Sequence, residues 1–158
     1  LQRRLEGMRA DQRTADTRPS DGAQRFSPIE TETLVNLMLG GNDPGRAGNI
    51  LHSRLRYFDP KGRRAGLPED VAALVDSIGP EHVSVTLVNV NPTVMREVMV
   101  QTGAYAEHEA TAIETAEAKS TLRARHFRVR LGPGAGGRIT IRTKRYTYQP
   151  TTAFPWDR

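Results

Sequence analysis

Between residues 82 and 103 apolar side chains fall on alternate positions. Val83, Val85 and Leu87 point one way, with Asn89 in the same register, and Ser84, Thr86, Val88 and Val90 point the other. After Asn91-Pro92-Thr93 the alternation resumes, with Arg96, Val98, Val100 and Thr102 against Glu97, Met99 and Gln101. A period of two in β-branched residues, broken by Asn-Pro, predicts two strands joined by a short turn. One face is apolar throughout, so the pair reads as a central hairpin buried on that side.

The rest of the chain is arranged around this stretch. Residues 1–10 place Leu1, Leu5 and Met8 on one side of a helical turn or two. Residues 11–25 are polar and bury too little to offset their ordering entropy, which predicts a flexible linker or the end of a preceding helical segment over 1–25. Folded structure is expected from Phe26. Ile29, Thr31, Thr33, Val35, Leu37 and Leu39 alternate with Glu30, Glu32, Leu34, Asn36 and Met38. Ser27-Pro28 also suits a helix start, but the Thr and Val content favours a long strand. Residues 40–48 are turn chemistry, residues 50–58 a second strand, and residues 59–66 a basic loop. Residues 67–78 carry Pro68, then Glu69 and Asp70, then Val71, Leu74, Val75 and Ile78 at helical spacing before Gly79-Pro80. That pattern predicts the one short helix.

Beyond the hairpin, residues 105–113 read as a less regular strand and 114–124 as a loop or frayed hairpin tip. Residues 126–131 and 138–146 are clear strands joined by a glycine-rich hairpin loop. Residues 148–158 should run extended and press their aromatics onto the domain. The sum is an all-β class: an antiparallel β-sandwich of about six to eight strands over 26–158, with one short helix.

Composition narrows what such a domain does. The chain has 158 residues, enough for one domain with a core, and no cysteine, which removes disulfides and thiolate chemistry. No apolar run is long enough to span a membrane. The chain begins at Leu1 rather than Met, as a processed product or a fragment would. Formal charge is +5 with a pI near 10.1, and between residues 118 and 156 nine Lys or Arg stand with no Asp or Glu. If the two C-terminal strands pair, Arg128, Arg130, Arg142 and Lys144 share one exposed face suited to phosphate, sulfate or acidic sugars. The alternative is that they meet acids such as Glu30, Glu32, Glu97, Glu107 and Glu109.

Other motifs carry less. Gly132, Gly134 and Gly137 match a dinucleotide fingerprint, but a strand pattern follows where that motif needs a helix. His108 lies between Glu107 and Glu109, which on a strand alternate faces and do not converge as ligands. No catalytic residue, metal ligand set or cofactor is expected. Tyr148, Phe154 and Trp156 read as aromatic contacts at an interface with a neighbouring domain.

From about Pro68 onward the chain resembles the C-terminal, Ig-like β-sandwich accessory modules of carbohydrate-active enzymes and of secreted bacterial proteins. The resemblance rests on VSVTLVNVNPTVMREVMVQTGAYAEHEAT, FRVRLGPGAGGRITI and RYTYQPTTAFPW. It implies a non-catalytic module that packs on or orients a neighbouring domain of the same polypeptide, in an extracellular or cell-envelope setting. Two other readings stay open: a stand-alone module that binds acidic polysaccharide, nucleic acid or another polyanion through the basic face, and a small hydrolase.

Overall fold

Nine strands in two antiparallel sheets make up the described residues of the larger part of the chain, and they enclose one core. The computed structural model describes residues 2–12, 14, 32–41 and 52–157, and the chain divides into units 1–35 and 36–158. In the first unit, helix α1 (Gln2–Ala10) exposes Leu5 and Glu6. Most of the linker at 11–25, the domain start at 26 and the turn residues 42–50 lie outside the described residues.

The second unit opens inside helix α2 (Glu32–Leu39), where the alternating pattern predicts a strand. Tertiary contacts override the β propensity of Thr33 and Val35. Met38 and Leu39 pack on the core, the Tyr57 hydroxyl donates to the Met38 carbonyl at 2.8 Å, and the Arg54 amide donates to the Leu39 carbonyl at 3.0 Å. The helix's last carbonyls thereby find partners. Gly40 ends it in the left-handed region (φ 63°), where its amide reaches the Asn36 carbonyl and a Cβ would sit 2.9 Å from a Val75 methyl.

The strands are β1 (Leu55–Asp59), β2 (Arg64–Ala65), β3 (Val71–Ile78), β4 (His82–Asn89), β5 (Arg96–Thr102), β6 (Glu109–Glu114), β7 (Lys119–Ala124), β8 (His126–Leu131) and β9 (Gly136–Lys144). One sheet has the order β2-β1-β5-β8 and the other β3-β4-β9-β6-β7. Leu55, Tyr57, Val98, Val100 and Leu131 from the first meet Val75, Val83, Val85, Leu87, Ile139 and Ile141 from the second. This is the expected all-β sandwich, packed through alternate residues of both sheets.

Three expectations are corrected. The predicted helix at 67–78 is strand β3, paired with β4 from Val71↔Asn89 to Ile78↔Val83 across a bulge between Val75 and Ser77. Its apolar residues keep helical spacing, but on the ladder that starts after Asp70, itself in the left-handed region (φ 63°), Val75 turns inward and Leu74 outward. The predicted hairpin at 82–103 is an arch: β4 lies between β3 and β9 in one sheet, and β5 lies between β1 and β8 in the other. The glycine-rich loop is likewise an arch, since β8 and β9 belong to opposite sheets. The polar stretch 114–124, by contrast, closes a true hairpin of β6 with β7. No helix among the described residues is long and apolar enough to cross a membrane.

Candidate functional site

Sheet order decides what the basic residues do. Because β8 and β9 do not pair, Arg128, Arg130, Arg142 and Lys144 form no single face: two stand on each sheet. Glu97 on β5 lies opposite Arg130, and its carboxylate accepts from Arg128 Nη1 at 3.1 Å and from Arg130 Nε at 3.0 Å. Two exposed guanidiniums sharing one carboxylate leave a surplus positive charge there. On the other sheet Glu114 takes Lys119 at 2.8 Å and Arg142 at 3.3 Å, and these cations hold its carboxyl below the usual range. Asp76 binds Arg138 through both nitrogens of a fork, at 2.8 and 3.0 Å, and is lowered likewise. Lys144 stands opposite Glu109.

The expected aromatic interface folds back on its own domain. Phe154 and Trp156 stack at 5.1 Å and 9°, and each meets the buried Phe58 edge-on at 5.9 Å. Phe58 lies on the outward side of β1, so the tail covers that sheet. The Tyr148 amide donates a hydrogen bond to the Glu107 carbonyl and the Thr151 amide to the Tyr105 carbonyl, and these tether the segment. Tyr148 donates its hydroxyl to Glu109 at 2.9 Å beneath the Arg125 guanidinium, and burial, then Glu109, pushes its phenol up.

Between this tail and β8 opens a cleft of about 390 Å³, lined among others by Arg63, Met99, His126, Phe127, Arg128 and Trp156. It joins Arg128 and Trp156, which the sequence assigned to separate surfaces. Arg63 arrives from the β1–β2 turn. There Asp59 Oδ1 accepts the Lys61 and Gly62 amides at 3.1 and 3.0 Å, and Arg63 itself adopts φ 47°. Its guanidinium lies 5.5 Å from the Trp156 ring centre and 3.4 Å from Asp157. Asp59-Pro60-Lys61-Gly62 is a turn signature, and the position it gives Arg63 depends on a tail some 90 residues later, which local sequence does not encode.

Two other polar clusters are turned toward the chain itself. Asn89, wholly buried, donates from Nδ2 to the carbonyls of Val94 (2.8 Å), Gly132 (3.0 Å) and Leu131 (3.2 Å) and accepts the Asn91 amide. Asp70 accepts Arg96 at 2.6 Å and Asn91 at 2.8 Å, and these bonds hold its carboxyl low. At the opposite end of β5, buried His108 accepts the Tyr146 amide at Nδ1 (3.2 Å), which places the ring proton on Nε2, 3.7 Å from Glu107. Burial pushes this imidazole below its ordinary value, against the attraction of Glu107. Among the described residues no three His, Asp or Glu side chains are grouped to hold a metal ion.

No protein-family model, curated protein or solved structure matches the chain.

Proposed function

We propose that this chain is a non-catalytic β-sandwich accessory module that packs on and orients a neighbouring domain of the same polypeptide. The observation that carries it is the asymmetry of the outer face of the five-stranded sheet. Over β9, β6 and β7 that face is ionic, with Arg142–Glu114 and Lys119–Glu114 pairs, and Arg138 of β9 reaches across β4 to Asp76 of β3. Over β3 and β4 it leaves apolar side chains uncovered: Leu74 is 46% exposed, Ala72 lies beside Val88, and Val90 just past β4 is 64% exposed.

Edge strands bounded by water generally carry charge there, because an apolar row beside unpaired backbone groups invites association. An eight-residue edge strand with Leu74 outward is suited to being covered by another domain. The family that the sequence resembles makes a carbohydrate-active neighbour the reading we favour for that domain.

The test is a photo-cross-linking side chain at position 74, with position 121 on the ionic half as control, in the polypeptide as its gene encodes it. Cross-links from 74, and not from 121, to a folded domain outside this chain are expected. Equal labelling from both positions, or none from either, would contradict the proposal.

A further inference from the structure

The cleft beside Trp156 is on the other sheet from Leu74, so a ligand bound in it is independent of the docking reading. From its geometry we infer that the cleft binds a carboxylated or sulfated sugar unit.

Three features converge. The cleft's volume, about 390 Å³, suits one or two sugar rings and lies in the range of small-ligand sites. Arg63 and Arg128, both exposed, flank it beside His126. Their carboxylate partners, Asp157 and Glu97, are outside the cleft lining, and Glu97 is shared with Arg130. A planar guanidinium matches a carboxylate or sulfate through two parallel hydrogen bonds, and a ligand anion there exchanges one exposed ion pair for another. The third feature is apolar. Trp156, half-buried and fixed by Phe154 and Phe58, offers a rigid apolar surface against which the C–H face of a sugar ring loses water. A neutral sugar would use only the second part of this site and a free anion only the first. An acidic sugar uses both.

Trp156 is the chain's sole tryptophan, so its fluorescence reports on this cleft alone. The protein is titrated with trigalacturonate, a sulfated disaccharide, maltotriose and a mononucleotide, each at low and high salt. Trigalacturonate or the sulfated disaccharide should shift the emission saturably, and maltotriose should not. Affinity should fall several-fold with added salt, since exposed charges are screened. Arg63→Gln and Arg128→Gln should each weaken binding by roughly tenfold, the size of one charge-assisted hydrogen bond. Both side chains are surface-exposed, and unchanged melting curves confirm that the variants fold. Trp156→Phe, read by calorimetry, should weaken binding without removing its salt dependence. A flat response to both acidic sugars, equal binding of maltotriose, or binding indifferent to both arginine substitutions would overturn the inference. Saturation by the mononucleotide alone would overturn the ligand class.

Discussion

The arch after β4 and the cleft beside the C-terminal tail both concentrate polar side chains, and they use them oppositely. In the arch, the Asn89 amide bridges carbonyls of residues 94, 131 and 132, so one side chain ties the end of β4 to both arches between the sheets. Asn91 and Arg96 both donate to Asp70 across the same corner. In the cleft, Arg63 and Arg128 each keep over half of their side-chain surface in water. Polar groups that close on the chain's own backbone hold the sandwich, whereas those held only by exposed ion pairs are available to a ligand.

Substitutions separate the two regions by size of effect. Asn89→Ala removes two N–H donors that three carbonyls share at this corner, at about 1–3 kcal/mol each where water cannot replace them, and should cost about 4 kcal/mol in denaturant unfolding. A loss below about 1 kcal/mol would mean that water enters the arch. Phe58→Ala removes the ring that Phe154 and Trp156 sit on and should cost about 3 kcal/mol. Because it frees the tail, it should also red-shift the Trp156 emission, and an unchanged spectrum would show that the tail is held by its backbone bonds alone.

Smaller effects come from titration. His108 is favoured neutral by the fold, so its contribution is complete above its ordinary value of 6.5 and declines as pH falls below it, where the unfolded chain takes up the proton first. Asp70, Asp76 and Glu114 have depressed values, so their contributions persist until pH drops into the ordinary carboxyl range and are lost below it. Stability against pH should therefore fall in two stages. His108→Gln, whose amide oxygen can still accept the Tyr146 amide, should flatten only the first. Smallest of all, Leu74→Lys should leave unfolding within about 0.5 kcal/mol while abolishing the cross-link to a neighbour from a photo-reactive side chain at position 72.

The strands were more legible in the sequence than their partners. β4, β5, β8 and β9 follow the period of two closely because each buries one row against the opposite sheet. Asn91-Pro92-Thr93 signals a reversal, but whether the chain returns beside itself or crosses to the other sheet depends on what Asn89 and Asp70 bind. Those partners are up to 43 residues away. β3 and α2 were exchanged for the same reason in reverse. Val71, Leu74, Val75 and Ile78 fit the helical period and are made a strand by pairing with β4, and the last turn of α2 is decided by Tyr57 and Arg54. The site followed the topology: once β8 and β9 are known to belong to different sheets, Arg128 is separated from Arg142 and joins Trp156 and Arg63.

The most direct test places the two regions in one urea unfolding series, comparing Asn89→Ala with the double variant Arg63→Gln/Arg128→Gln. The midpoint should fall by about 2 M for the first and move by no more than about 0.3 M for the second. A double variant that loses as much as Asn89→Ala would contradict the division, because the cleft arginines would then be part of the scaffold.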